Sequence, residues 1–103
     1  MDEQGVIQGV YHSLPDGLMY DQLVDFGDKL LIPAMNDLHV HAPQFCNMGI
    51  AMDMQLIPWL NTYVFPEEAK FADEAYAETV YHSFVSELWR QGTMRAAVFA
   101  TSH

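Results

Sequence analysis

Two rhythms of apolar and polar positions run along this chain. Between residues 73 and 91, Ala77, Val80, Tyr81, Phe84, Val85, Leu88 and Trp89 recur at steps of three and four. That spacing lines one face of an α-helix. Asp73 suits the N-cap, Glu74 the first turn, Arg90 the last turn and Gly92 the residue after the helix end. Ala96-Ala97-Val98-Phe99-Ala100 then reads as a buried strand running into Thr101-Ser102-His103. Upstream, Val6 to Tyr11, Leu23 to Phe26 and Leu30 to Ile32 are short β-prone runs. Pro15-Asp16-Gly17 and Gly27-Asp28 punctuate them as turns. After Pro33 a further strand runs through Asp37 to His41. Residues 42–72 show no strong period and are broken by Pro43, Pro58 and Pro66, with one or two helical turns predicted over Leu56 to Leu60. Strand, irregular excursion, helix and strand together predict a βαβ unit, the building block of parallel sheets.

Composition narrows the classes. The chain has 103 residues, enough for one small domain, and half of them are apolar. Fourteen acidic and four basic side chains give a net charge of −10. The four cations, Lys29, Lys70, Arg90 and Arg95, are scattered, so no basic patch is available for a nucleic acid or an anionic membrane. No apolar run is long enough to span a bilayer, and the acidic, polar start is unlike a signal peptide. The single cysteine, Cys46, rules out an internal disulfide and predicts a cytoplasmic setting. Cys46 reads as a small packing residue and His82 as a partly exposed or packed helix residue, not a ligand.

Candidate chemistry concentrates in Asp37-Leu38-His39-Val40-His41. Side chains alternate faces along a strand, so Asp37, His39 and His41 share one face. Two imidazoles placed in this way can reach one metal ion, and imidazole binds zinc or iron near neutral pH without first losing a proton. The pair falls at the end of the first strand of the βαβ unit and His103 at the end of the second. Parallel sheets carry their chemistry at those ends. Read from residues alone, the pair is sooner two surface imidazoles than a metal site, Gln44 a solvated loop amide and Trp59 a core aromatic.

The flanking residues carry a resemblance. Pro33-Ala34-Met35-Asn36-Asp37-Leu38-His39-Val40-His41 resembles the first metal-binding strand of the amidohydrolase superfamily. His41-Ala42-Pro43-Gln44-Phe45, Met52-Asp53, the run from Trp59 to Glu68, and Val98-Phe99-Ala100-Thr101-Ser102-His103 are similar to the guanine deaminase family. Resemblance implies that His39 and His41 are ligands of a catalytic zinc, that Gln44 reads the purine by hydrogen bonds, and that Trp59 walls the purine pocket. It gives Asp37 and His103 supporting roles. The implied reaction is guanine and water to xanthine and ammonia, by a zinc-activated hydroxide.

Departures from the family pattern shape the remaining expectations. Ala34 stands for a glycine, Asn36 for an apolar residue, and Met94-Arg95 for a small, Thr-rich approach to the second strand. A (β/α)8 barrel takes about 250 residues, so the expectation is an N-terminal fragment in α/β form. Residues 1–32 would be part of a flanking small β-sandwich domain, and 33–103 the first two strands and first helix of the barrel. No catalytic residue is expected in the chain itself. A catalytic zinc takes about three protein ligands and two are in sight, so no deaminase activity is expected from the chain alone. Alternatives are a non-catalytic remnant that self-associates as a homo-oligomer through open strand edges, a small metal-binding module, or a relative acting on another aminated purine or triazine.

Overall fold

A helix satisfies its backbone hydrogen bonds within its own segment, whereas a strand needs a partner. That difference governs what forms here. In the computed structural model, which describes residues 1–102, the chain divides into two compact units, Met1–Leu31 and Ile32–His103.

The first unit is a succession of bends and turns. The Asp2 carboxylate accepts the Val6 N–H at 2.8 Å and the Gln4 N–H at 3.1 Å. Turns fall at Asp16-Gly17 and Gly27-Asp28, both glycines having positive φ. The Asp25 side chain accepts the Gly27 N–H at 2.7 Å. The strands expected over 6–11, 23–26 and 30–32 do not form. Their residues stay exposed, Val10 at 90% and Leu30 at 86%. These runs have β-prone side chains but no neighbouring strand to complete a ladder, and β-propensity is realised only against a partner and a core.

The second unit is α/β. In chain order it comprises β1 (Met35–His41), a 3₁₀ segment (Ala42–Asn47), α1 (Leu56–Trp59), a π-helical segment (Leu60–Val64), α2 (Phe65–Glu68), a second 3₁₀ segment (Ala69–Ala72), α3 (Glu74–Arg90) and β2 (Thr93–Phe99). β1 and β2 pair in parallel, with Asp37 opposite Ala96 and His41 opposite Phe99. This is the βαβ connection that the pattern predicts.

α3 begins and ends where its capping residues place it. The Asp73 carboxylate accepts the N–H groups of Ala75 at 3.0 Å and Tyr76 at 3.4 Å. Gly92 takes a φ of 80°, closes the helix through its N–H to the Trp89 carbonyl at 3.0 Å, and hands its own carbonyl to the Met35 N–H at the start of β1. The apolar stripe is narrower in space than in sequence. Val80 and Phe84 are buried, but Val85 (39% exposed) and Trp89 (62%) face outward.

Residues 56–72 differ most from the irregular excursion expected. They form a continuous helical run whose pitch changes from α to π to α to 3₁₀. Pro66 explains the widening. It has no N–H to donate, and its ring crowds the preceding turn. The Phe65 N–H reaches back five residues to the Leu60 carbonyl, the wide turn that accommodates a proline.

The core lies where the 42–47 segment, the 56–72 run and α3 meet. Ala42, Pro43, Val64, Phe71, Val80 and Phe84 are its buried residues. Phe45 meets Phe84 edge-on at 6.0 Å, and Phe71 packs against Tyr76 and Tyr81 at 5.4 and 5.1 Å. The strand expected to be buried over 96–100 spans 93–99 and is exposed, Val98 at 46% and Phe99 at 52%. A strand is buried only when both sheet faces are covered, and this sheet has two strands. Asn36 is exposed for the same reason. Among the described residues no helix is long and apolar enough to cross a membrane.

Candidate functional site

β1 aims its histidines at one point. His39 Nε2 and His41 Nε2 stand 3.0 Å apart. The strand is irregular between Asp37 and Val40, and there the Asp37 carboxylate accepts the His39 N–H at 3.0 Å. Asp37 thus holds the backbone beside the pair. Behind the imidazoles lies Phe99 of β2, stacked on His41 at 4.8 Å and tilted against His39 at 4.9 Å. Phe99 is the contributor that the motif did not reveal. Its signal was the parallel pairing itself, which sets it opposite His41.

The geometry of the two nitrogens suits a shared ion. Two nitrogens each about 2.0–2.1 Å from a tetrahedral zinc stand about 3.3 Å apart, close to the separation here. Among the described residues no group of three or more His, Cys, Asp or Glu could hold a metal. The pair therefore fits as part of a coordination shell, not as a whole one.

His39, His41, Gln44 and Trp59 all line one cavity of about 600 Å³, a size in the range of small-molecule sites. Gln44 sits in the 3₁₀ segment directly after β1, with Nε2 3.3 Å from His41 Nδ1. The half-buried Trp59 donates its indole N–H to the Ile50 carbonyl at 2.9 Å, which fixes the ring at the cavity wall. Met48 and Met52 belong to its apolar lining, Glu87 reaches it from α3 and Gln91 from the residue after α3. The helical spacing of Glu87 and Gln91 and their shared face were visible in the sequence, but nothing there aimed that face at the cavity. Gln91 donates to Glu87 at 2.7 Å, as does Arg90 at 2.9 Å. Asp37 does not line the cavity, and His103 lies outside the described residues.

The segment bearing Gln44 is anchored from its far side. Pro43 is fully buried, and Asn47 donates its amide to the Tyr63 carbonyl at 3.3 Å. The buried Glu67 accepts from Lys70 at 2.6 Å and from the Tyr76 hydroxyl. Burial alone would raise the Glu67 carboxyl, but the hydrogen bonds from Lys70 and Tyr76 and the Lys70 charge outweigh it and hold it below the usual carboxylate range. Tyr76 is pushed far up, chiefly by its bond to Glu67 and then by burial. The Tyr76 oxygen is also 3.7 Å from Cys46 Sγ. Cys46 is exposed rather than packed inside. His82 is exposed as well, 3.9 Å from Glu78.

Comparison with known proteins finds several guanine deaminases. It is similar to the guanine deaminase of Dictyostelium discoideum, 43% identical across the whole chain and 26% of the relative. Similarity to the Escherichia coli guanine deaminase is 38% over 89% of the chain and 20% of the relative. For human guanine deaminase it is 37% over 73% of the chain and 16% of the relative. The chain spans about a quarter or less of the length of these relatives. No family model matches it, and neither does any solved structure.

Proposed function

Since the chain belongs to the guanine deaminase family, we propose that it carries two of the zinc ligands and the purine-reading wall of a guanine-deaminating hydrolase. The observation that supports this most is the convergence of His39 Nε2 and His41 Nε2 at 3.0 Å, beside a cavity that Gln44 and Trp59 also line. In this reading β1 and β2 are the first two strands of a (β/α)8 barrel. Residues 1–32 belong to a flanking β domain, whose strands form only against the rest of that domain. Bound zinc would lower the pKa of a water molecule so that hydroxide is available at neutral pH.

The chain's own residues bind and orient. His39 and His41 offer neutral nitrogens toward one point, with Phe99 packed behind them to limit their rotation. Trp59 presents an aromatic face to a purine, and the Gln44 carboxamide offers a donor and an acceptor to its edge. Guanine is the substrate proposed, with xanthine and ammonia as products. The setting proposed is the cytoplasm, and the open edges of the two-stranded sheet are proposed to pair copies of the chain.

Zinc titration of the purified chain tests the metal. Micromolar or tighter binding that vanishes in a His39→Ala, His41→Ala double variant would favour the small metal-binding module, whereas the incomplete two-ligand site is expected to bind zinc more weakly. Binding that survives in the double variant would place the ion elsewhere. With two ligands in the described residues, the chain alone is expected to release no ammonia from guanine. Release in proportion to bound zinc would overturn that expectation.

A further inference from the structure

We propose that Ala51 is a positioning residue: its left-handed backbone aims the Ile50 carbonyl at the Trp59 indole, and a flip of the Ile50–Ala51 peptide frees the ring from the cavity wall. The tether stands on geometry alone; its effect on a purine rests on the reading of Trp59 given above.

Ala51 is the one residue other than glycine with a positive φ, 49°, among those described. An L-residue there crowds its Cβ against a carbonyl oxygen, and a methyl group has no polar atom to compensate as asparagine or aspartate does. Such a conformation persists only where the surroundings over-determine it. Here two turns meet. Asn47 to Ile50 form a type II turn, with Met48 at φ −58° and ψ 122°, Gly49 at φ 78°, and the Ile50 N–H donated to the Asn47 carbonyl at 3.0 Å. Ala51 to Met54 form the next, closed by the Met54 N–H on the Ala51 carbonyl at 3.0 Å. Buried Asn47 anchors one end of the pair through Tyr63, and α1 follows the other.

The joint between the turns is the Ile50–Ala51 peptide, and its carbonyl accepts the Trp59 indole N–H at 2.9 Å. An indole has one proton to donate and its ring is half-buried, so this acceptor matters to where the ring stands. The direction of that carbonyl is set by ψ of Ile50 and φ of Ala51 together. Turning the peptide over points the carbonyl away from the indole and returns Ala51 to negative φ, the extended region open to any L-residue. Strain at Ala51 and the tether on Trp59 are therefore two sides of one arrangement.

Release gives the ring somewhere to go. Trp59 lines the 600 Å³ cavity and also a smaller one of about 230 Å³, whose other lining residues, Ala51, Met52, Met54 and Leu56, are all apolar. Met52 borders both cavities, and its unbranched side chain adapts to either position of the ring. A planar heterocycle stacks best on a face that is already held, because an unheld ring must be ordered when the ligand binds. Ala51 thus tunes stacking without touching the heterocycle.

Hydrogen exchange at the two indole N–H groups of the ¹⁵N-labelled chain tests the tether. Trp89→Phe assigns the signals, Trp89 being 62% exposed and outside the cavity lining. In the unmodified chain the Trp59 indole should exchange roughly ten-fold more slowly than that of Trp89. In Ala51→Val, whose β-branch disfavours positive φ, it should exchange as fast as Trp89. In Ala51→Gly, which adopts positive φ freely, it should slow by roughly a further five-fold. The purine 2-aminopurine, whose fluorescence is quenched by stacking, reports the consequence. Its dissociation constant should rise roughly five-fold in Ala51→Val and stay level or fall in Ala51→Gly. Far-UV circular dichroism of each variant checks that α3 is intact. A Trp59 indole that exchanges as fast as Trp89 in the unmodified chain would overturn the proposal, as would exchange that moves in the same direction in both Ala51 variants. The expected exchange with equal 2-aminopurine affinity in all three chains would overturn the effect on stacking and leave the tether. The expected exchange in chains that do not bind 2-aminopurine at all would support the tether and sink the purine reading of Trp59.

Discussion

The two units of this chain use similar residues to opposite effect. Residues 1–31 contain Val6, Ile7, Val10, Leu23 and Val24, and all of them are more than half exposed. Residues 32–102 hold all of the buried apolar side chains, Val64 and Pro43 most completely. The difference is not one of hydrophobicity. The second unit has a capped helix of 17 residues, whose backbone is satisfied locally, and it can therefore present Val80 and Phe84 as a finished surface. The first has turns that are locally specified and strands that are not, because a strand's backbone groups are completed by another strand.

The largest effect that sharpens this comparison is expected at Phe84. Replacing it with alanine should cost about 3 kcal/mol, since it removes a buried ring from between Phe45 and the helix core. Urea denaturation followed by far-UV circular dichroism would measure it. A loss no greater than that of an exposed residue would show that the second unit has no real core.

Glu67→Gln should come next, at about 2 kcal/mol near neutral pH, because Lys70 and Tyr76 would lose a charged acceptor at a buried site. The folded-state carboxyl lies below its ordinary value of 4.5. Its stabilisation is therefore fully present above the ordinary value and is lost as pH falls through the lower folded value. Stability of the unmodified chain should drop more steeply on acidification than that of the variant. Parallel acid profiles would contradict this role.

Asp73→Ala should cost about 1 kcal/mol by leaving the Ala75 and Tyr76 N–H groups without their cap. Val10→Ala, at 90% exposure, should change stability by less than about 0.5 kcal/mol. Amide exchange gives the same contrast without mutation: slow over α3, fast over residues 5–32. Slow exchange over 5–32 would mean that those residues have found strand partners, and would point to pairing between copies.

α3 was legible almost to the residue, because Asp73 and Gly92 act on the backbone beside them and the apolar period lies within one segment. The turns at Asp16-Gly17 and Gly27-Asp28 were legible for the same reason. The His39-Val40-His41 pair could be read as sharing a face, since alternation is a property of a single strand. The helical run over 56–72 was not legible. Pro58 and Pro66 are breakers by local rules, and only the packing of Val64 and Phe71 against the 42–47 segment and α3 retains them in a run of changing pitch. Cys46, Val85 and Trp89 were misread because burial depends on what lies opposite, which no local pattern states.

By itself the sequence determined the helix and its caps, the glycine turns, the order of strand, helix and strand, and the residue types from which a site could be made. Each of these is settled by interactions within a few residues. The tertiary structure alone decided that Phe99 stacks behind the histidines and that Trp59 joins them around one cavity. Those contacts join segments up to 60 residues apart, because β2 returns to pair with β1. The same dependence on a partner explains why the β-prone runs of the first 32 residues remained unpaired.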